Sequence, residues 1–129
     1  MIKKLDIITL YVTDHLKSAE FYEDLGLSVD HSDDDIAIMD LNGFKLWLVN
    51  QATAKGNKEF EADALAKDKG AGLYIYLNVD EIDGFYRGLV DKGLKPSSEP
   101  RDWPWGNREF VLRDPDGYKL CFYKSLKGV

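Results

Sequence analysis

Cysteine, histidine and long apolar runs are all scarce in this chain of 129 residues. The single cysteine, Cys121, cannot form an internal disulfide, which agrees with a reducing compartment. No stretch approaches the roughly 18 apolar residues that a membrane-spanning helix needs, and the opening MIKKLDIITL lacks a signal-peptide cleavage pattern. We therefore expect a cytoplasmic protein without disulfides or membrane spans.

Positive charge is also in short supply, with 17 Lys and Arg against 23 Asp and Glu and a net charge of −6 at pH 7. A negative field repels phosphate backbones and anionic lipids, so nucleic acids and membrane surfaces are poor partners. A cationic or neutral small molecule is a better one. The hydrophobic share of 44% and the charged share of 31% are ordinary for a globular protein, and residues 1–129 have the size of one domain.

Hydrophobic periodicity predicts the order βαβββ in the first half of the chain. Alternation from 5 to 12 is typical of a strand, and Thr13 or Asp14 then caps a helix. The apolar residues of that helix recur every three positions before a terminal glycine; they are Leu16, Ala19, Tyr22 and Leu25, followed by Gly26. Short strands follow at about 27–32, 35–40 and 43–49, with Asn42-Gly43 as a hairpin turn.

The second half repeats this order after a polar surface connection at 51–71, within which 59–67 has a weak helical pattern. Asp80 opens the second helix and Gly93 ends it. The strands are predicted at 73–79, about 94–98, 108–113 and 117–124, with Asp116-Gly117 as the last turn.

Two alignments indicate that the halves are internal repeats. Val12 and Gly26 match Val79 and Gly93 at an offset of 67 residues. The hairpin NGFKLWLVN at 42–50 matches DGYKLCFYK at 116–124 at an offset of 74. Because both matches keep the same order relative to the helices, duplication explains them better than chance. The pseudo-repeats are about 1–50 and 72–126, joined by 51–71.

Two motifs carry a resemblance to a known family: YVTDHLKSAEFYEDLGL at 11–27 and, more specific, WGNREFVLRDPDGYKLCFY at 105–123. They resemble the vicinal oxygen chelate superfamily, which includes glyoxalase I, extradiol dioxygenases, fosfomycin resistance enzymes and bleomycin resistance proteins. The resemblance covers essentially the whole chain. It implies an α+β fold of two tandem βαβββ modules that form a curved, cup-like mixed sheet with helices on the outer face, and a homodimer.

Alternation divides the strand residues between two faces. One face is aliphatic and should pack under the helices. Its members are Ile8, Leu10, Val12, Leu46, Leu48, Leu73, Ile75, Leu77, Val79, Leu120 and Phe122. The opposite face is aromatic and of mixed polarity, which suits a ligand pocket. Its members are Ile7, Thr9, Tyr11, Lys45, Trp47, Val49, Tyr74, Tyr76, Asn78, Lys119, Cys121 and Tyr123.

A flat or sugar-bearing molecule could stack on the aromatic side chains of this second face. The candidate ligand-binding residues taken from it are Tyr11, Trp47, Tyr74, Tyr76, Cys121 and Tyr123. An alternative interpretation is that these aromatics fill the pocket themselves or contact a partner subunit.

The segment DWPWGNREF at 102–110 places two tryptophans beside Pro104 and Gly106 in a rigid turn. The turn could be a lid over the ligand or a plug in a dimer interface, and the sequence does not decide between them. In relatives that resemble bleomycin resistance proteins, the matching segment lies close to the binding groove. The resemblance therefore adds Trp103, Trp105, Arg108 and Glu109 to the candidate ligand-binding residues.

Metal-using members of the superfamily place ligands in the first and last strands of each half. The resemblance puts those positions at Ile7, Trp47, Tyr74 and Cys121. Ile and Trp offer no usual donor and a Tyr phenol is a rare ligand, so we expect neither a metal nor another cofactor. His15 and His31 are expected on the surface, away from the pocket.

Three further polar features are assigned structural roles. Cys121 could serve as a nucleophile, but no neighbouring His is visible to activate it, so a structural thiol is favoured. DPDG at 114–117 and HSDDD at 31–35 both read as turns, the second of them solvated. No catalytic residue is assigned.

Three functions remain open from the sequence. The leading hypothesis is a metal-free small-molecule binding protein, similar to bleomycin resistance proteins, that sequesters a partly aromatic, cationic ligand. The second is a metal-dependent enzyme of the glyoxalase or dioxygenase type. The third is a domain whose pocket is filled by its own side chains and which acts through partner contacts.

Overall fold

Two βαβββ modules follow one another along the chain, as the repeated motifs predict. The structure, a computed structural model, describes residues 1–127. It divides into two units, Met1–Lys67 and a second that begins at Asp68, and each unit contains one four-stranded mixed sheet. The predicted α+β class with two repeated modules is confirmed. Within the described residues, every helix is too short or too polar to cross a bilayer.

The first unit contains four strands in the order β1-β4-β3-β2, of which β1 and β4 are parallel and the other pairs antiparallel. Its elements are β1 (Ile7–Val12), α1 (His15–Leu25), β2 (Ser28–Ser32), β3 (Ile36–Leu41) and β4 (Phe44–Asn50), followed by a 3₁₀ turn (Gln51–Ala54) and the short helix α2 (Glu61–Ala64).

The second unit repeats this topology with the order β5-β8-β7-β6. Its elements are β5 (Tyr74–Asn78), α3 (Ile82–Asp91), β6 (Arg101–Asp102), β7 (Asn107–Arg113) and β8 (Lys119–Ser125). The prediction of a strand at 94–98 is wrong. The second strand of this module is β6, which begins only at Arg101. Pro96 has no N–H to donate to a ladder, and the backbone of this segment bonds to β7 through Ser97 N–H and the Val111 carbonyl (2.8 Å).

The strand register of the two modules coincides under the two repeat offsets. Ile8 pairs with Leu46 in the first sheet, and Ile75 pairs with Leu120 in the second. Ile75 lies 67 residues after Ile8, and Leu120 lies 74 residues after Leu46. These are the two offsets that align the repeated sequences. In the same way Thr9 opposite Trp47 corresponds to Tyr76 opposite Cys121.

Helix α1 begins at a side-chain cap and ends at a glycine. The Asp14 carboxylate accepts hydrogen bonds from the backbone N–H groups of Leu16 (3.1 Å) and Lys17 (3.2 Å), and Gly26 adopts the left-handed conformation that L side chains disfavour. The buried face differs from the predicted stripe. It consists of His15, Ser18, Ala19 and Tyr22, whereas Leu16 is 53% exposed. Positions i, i+3, i+4 and i+7 share one helix face, and Leu16 lies about 100° away from it.

His15, predicted to lie on the surface, is buried at the start of α1. Its Nε2 lies 2.8 Å from the Asp33 carbonyl, which can only accept, and its Nδ1 lies 3.3 Å from the Asn50 amide nitrogen. The imidazole thus joins α1, the turn before β3 and the end of β4. A polar side chain in a core needs such partners, and a lone His in a sequence does not reveal them. His31 is exposed, as predicted.

Most of the predicted aliphatic core is buried in the structure. Leu10, Val12, Leu46 and Leu48 are buried in the first unit, and Leu120 and Phe122 in the second. Ile8, Ile75, Leu77 and Val79 are half-buried. Leu73, also predicted in the core, is exposed because it lies in the turn before β5, where its N–H bonds to the Gly70 carbonyl.

The two acidic turns have the structural roles that the sequence predicts. Asp114 accepts hydrogen bonds from the backbone N–H groups of Asp116 and Tyr118, both at 2.9 Å. Asp33 accepts from the N–H groups of Asp35 and Ile36 and pairs with His31. The His31 bond and these backbone donors lower the pKa of Asp33 to about 2.

Candidate functional site: an aromatic pocket around Glu109

A tight turn between β6 and β7 places two tryptophans side by side. Trp103 N–H donates to the Asn107 carbonyl (2.8 Å), and Gly106 N–H donates back to the Trp103 carbonyl (3.0 Å). Gly106 has a φ of +95°, which favours glycine at this position. The turn holds the indole rings of Trp103 and Trp105 in a stack, with centroids 4.8 Å apart and planes 13° from parallel.

Two cations of the second unit lie over aromatic rings. The Arg101 guanidinium carbon is 3.9 Å from the centroid of the Trp103 ring, and the Lys119 ammonium is 4.5 Å from that of Tyr74. Both distances are within the range of a cation–π interaction. These aromatic faces therefore already attract positive charge.

Glu109, in the middle of β7, is 4% exposed and accepts hydrogen bonds from four side chains. Oε1 accepts from Trp105 Nε1 (2.7 Å) and from the Asn107 amide (3.1 Å). Oε2 accepts from the Tyr76 hydroxyl (3.2 Å) and from the Cys121 thiol (3.1 Å). The donors come from β5, β7, β8 and the β6–β7 turn, so one carboxylate joins three strands and a loop.

The protonation states of this cluster follow from burial and from the hydrogen bonds. Burial alone would raise the pKa of Glu109, but the bonds from Trp105, Asn107, Cys121 and Tyr76 outweigh it and lower that pKa. Burial and the adjacent carboxylate raise the pKa of Cys121 to about 12. Burial, together with Cys121 and Glu109, raises the pKa of Tyr76 as well. At neutral pH the carboxylate is ionised and its donors are neutral.

A cavity of about 360 Å³ opens beside this cluster, entirely within the second unit. This volume lies at the lower end of the range for small-molecule sites. The lining is aromatic with a few polar groups, and consists of Tyr74, Tyr76, Ser98, Trp103, Trp105, Glu109, Phe110, Val111 and Cys121. Ser98 Oγ accepts from Val111 N–H (3.2 Å), which leaves the hydroxyl hydrogen free to donate. We call this cavity the Glu109 pocket.

The structure brings six of the ten predicted ligand-binding residues together in the Glu109 pocket. They are Tyr74, Tyr76, Trp103, Trp105, Glu109 and Cys121. Tyr123 does not line the pocket, and its ring packs edge-on against Tyr76 with centroids 5.5 Å apart. Tyr11 and Trp47 belong to the first unit, where both are half-buried on β1 and β4.

Arg108 does not line the pocket, because its side chain is directed to α3 and β6 instead. Its guanidinium pairs with Asp83 of α3 (2.9 Å) and with Asp102 of β6 (3.0 Å). Both bonds raise the pKa of Arg108, and the pairing lowers the pKa of Asp83. In the structure Arg108 therefore links α3 and β6 to β7 through its two ion pairs.

Sequence reasoning did not assign Ser98, Phe110 and Val111 to the site. Alternation along β7 does predict that Val111 shares the face of Glu109, although Val111 is not among the ten candidate residues. Ser98 follows Pro96 in an irregular segment without periodicity, so no sequence signal places it.

The positions at which the resemblance implies a metal do not fit one. Ile7 and Trp47 carry no usual donor atom and the Tyr74 phenol is a rare ligand, so Cys121 is the single conventional ligand among the four. Of the four side chains bonded to Glu109, Cys121 is a usual metal ligand, whereas the Trp105 indole, the Asn107 amide and the Tyr76 hydroxyl are not. Over residues 1–127, no group of three or more His, Cys, Asp or Glu side chains is arranged to hold a metal ion.

Two tandem modules with this order of strands define a class of α+β proteins, and solved structures show the same fold. A glyoxalase/bleomycin resistance protein/dioxygenase from Nocardioides superimposes with a TM-score of 0.84 at 23% identity, covering 100% of this chain and 87% of that one. The chain belongs to the glyoxalase/bleomycin resistance protein/dioxygenase superfamily, whose family model matches residues 4–122. The resemblance carried by the two sequence motifs is confirmed.

Two curated relatives are similar over nearly their full lengths. The protein YraH of Bacillus subtilis is 32% identical over 127 residues, which cover 95% of this chain and 99% of that protein. The bleomycin resistance protein of Geobacillus stearothermophilus is 30% identical over 130 residues, with coverages of 95% and 97%.

Proposed function

We propose that this chain is a metal-free binding protein that sequesters a small, partly aromatic, cationic molecule without transforming it. The observation that carries the proposal is the Glu109 pocket, in which a buried ionised carboxylate lies among four exposed or half-buried aromatic rings. The similarity to bleomycin resistance proteins supports the same class of function.

The chemistry of the walls favours a flat cation. Indole and phenol rings attract positive charge through their faces, and Trp103 and Tyr74 already do so with Arg101 and Lys119. The ionised carboxylate behind them and the net charge of −6 act in the same direction. A ligand with an aromatic ring and a positive group would replace the contacts that the chain makes with itself.

The same groups are poorly suited to nucleophilic or general-base catalysis. A nucleophilic cysteine requires a thiolate, and the pKa of Cys121 is raised to about 12. A general base requires a free lone pair, and both oxygens of Glu109 already accept two hydrogen bonds each. Stoichiometric capture needs neither.

Calorimetric titration of protein treated with a chelator tests the proposal. The probes are bleomycin and three compounds that share a naphthylmethyl group and carry a positive, a neutral or a negative substituent: naphthylmethylammonium, naphthylmethanol and naphthylacetate. We expect one site per chain and affinity that falls from the cation to the neutral compound to the anion, by roughly tenfold at each step. Trp105→Leu should weaken all three, whereas Phe60→Leu, which removes an exposed aromatic ring of the first unit, should not.

Two results would overturn the proposal in different ways. Stoichiometric zinc, nickel, manganese or iron in protein purified without chelator, together with metal-dependent turnover, would favour the enzyme hypothesis. If no probe binds or raises the melting temperature, the pocket is filled by its own side chains and the protein acts through partner contacts.

The proposal includes a homodimer in the cytoplasm. The homodimer is implied by the superfamily, and a reducing compartment agrees with a single unpaired, buried cysteine. Light scattering coupled to size-exclusion chromatography measures the first, and cell fractionation the second.

A further inference from the structure

Three side chains that line the Glu109 pocket are hydrogen-bonded to the same carboxylate. Trp105, Tyr76 and Cys121 line the cavity, and each donates a hydrogen bond to Glu109. The fourth donor, Asn107, lies two residues before Glu109 on β7. Removal of this one group would therefore release side chains from β5, β8 and the β6–β7 turn together.

Trp105 depends most on this bond. Its side chain is in an exposed position, with 55% of the residue accessible, so little surrounding structure fixes the ring. The contacts that orient it are the stack on Trp103 and the 2.7 Å bond from Nε1 to Glu109. A short bond to an ionised acceptor is among the stronger hydrogen bonds in proteins.

We infer that Glu109 is a positioning residue: it holds the Trp103–Trp105 stack and Tyr76 in the orientation that binds the aromatic part of the ligand. The inference rests on the proposed function of the pocket and adds a second role to the charge of Glu109. Charge alone would affect cationic ligands. Positioning affects every aromatic ligand, whatever its charge.

The chain offers a pair of substitutions that separate the two roles. Trp105 Nε1 and the Asn107 amide can only donate at Oε1, whereas the Tyr76 hydroxyl and the Cys121 sulfur at Oε2 can also accept. In Glu109→Gln the amide oxygen can therefore face the first pair and the amide nitrogen the second, so the bonds persist without the charge. Glu109→Leu has a similar volume and removes both.

The experiment measures two properties of the folded variants. The first is the ultraviolet circular dichroism couplet of the two indoles, which requires the rings of Trp103 and Trp105 to stay close together in one fixed relative orientation. The second is the affinity for naphthylmethanol, the neutral probe. Glu99→Gln, which removes an exposed carboxylate from the same unit, is the matched control for net charge.

We expect Glu109→Gln to keep the indole coupling and to bind the neutral probe within about threefold of the wild type. Glu109→Leu should lose the coupling and bind the neutral probe roughly tenfold more weakly or worse, since an acceptor for four donors is gone. Glu99→Gln should change neither measurement. If Glu109→Leu folds and retains both properties, the inference is wrong.

A measurement on the wild type keeps the inference testable if Glu109→Leu fails to fold. The indole N–H of Trp105 should exchange with solvent much more slowly than that of a free indole in nuclear magnetic resonance spectra, despite its exposed side chain. Exchange as fast as that of free indole would contradict the inference. Because indole coupling and exchange need no ligand, they report on positioning even if every probe fails to bind and the proposed function falls.

Discussion

Trp105 and Glu109 are joined by a 2.7 Å hydrogen bond that spans the turn between β6 and β7. The bond links the exposed tip of a hairpin to a buried carboxylate in the middle of a sheet. The orientation of Trp105 in the pocket wall therefore depends on the ionisation of Glu109.

The stability of the protein should depend on the ionisation of Glu109. Because its pKa is lowered in the folded state, its contribution is complete above the ordinary carboxyl pKa of 4.5 and is lost as pH falls through the lower folded value. Glu109→Gln resembles the protonated acid at every pH. In urea titrations we expect the wild type to be more stable at pH 7 by on the order of 1 kcal/mol. This difference should shrink in acid below pH 4.5, and a difference that is constant with pH would contradict the assignment.

Cys121 should be nearly inert toward alkylation in the folded protein. With a pKa of about 12, its thiolate fraction at pH 8 is about a thousandfold below that of a free cysteine. Iodoacetamide labelling followed by mass spectrometry measures the rate, and the same protein in guanidinium chloride is the control. Labelling of the native protein at the rate of the unfolded chain would show that the Glu109 cluster does not form.

His15 and His31 form a matched pair for testing a buried against an exposed imidazole. His15→Ala removes a buried imidazole together with its bonds to the Asp33 carbonyl and the Asn50 amide, which we expect to cost about 1–3 kcal/mol. His31→Ala removes an ion pair that is half exposed on both sides and should change stability by less than about 1 kcal/mol. Urea unfolding of the two variants measures both. Equal effects would mean that the His15 contacts contribute little.

Replacement of glycine by alanine should lower the stability of the protein at the turn and raise it in the helix. Gly106→Ala forces a side chain into the left-handed region and brings its Cβ to 2.7 Å from the Lys127 side chain, so we expect a loss of about 1 kcal/mol. Gly88→Ala lies within α3, has no atom within 4 Å of the new Cβ, and should add about 0.5–1 kcal/mol. Melting temperatures of the two variants test the pair, and stabilisation by Gly106→Ala would show that the turn relaxes.

The sequence was sufficient to predict both modules because strong local signals coincide with the duplication. Period-two alternation and the Asn42-Gly43 and Asp116-Gly117 turns fix the hairpins, and the two repeat offsets recur unchanged in the strand pairing. A proline disrupts the alternation in the second module, and there the prediction of a strand at 94–98 was wrong.

The candidate site was predictable as a set of residues but not as a hydrogen-bonded cluster. Alternation placed Tyr76 and Cys121 on one face, and the family motif added Trp105 and Glu109. Which of them donates to Glu109 depends on rotamers and on the conformation of the β6–β7 turn, and neither has a periodic signature. The burial of His15 was missed for a related reason, since its partners lie 18 and 35 residues away along the chain.

The shared register of the two modules shows how far they have diverged since duplication. Glu109 lies opposite Tyr123 and Ile36 lies opposite Val49, so Ile36 stands in the first module where Glu109 stands in the second. Thr9 and Trp47 likewise stand in the places of Tyr76 and Cys121. Isoleucine cannot accept a hydrogen bond, so the first module keeps the strand register of the second without a counterpart of its buried carboxylate.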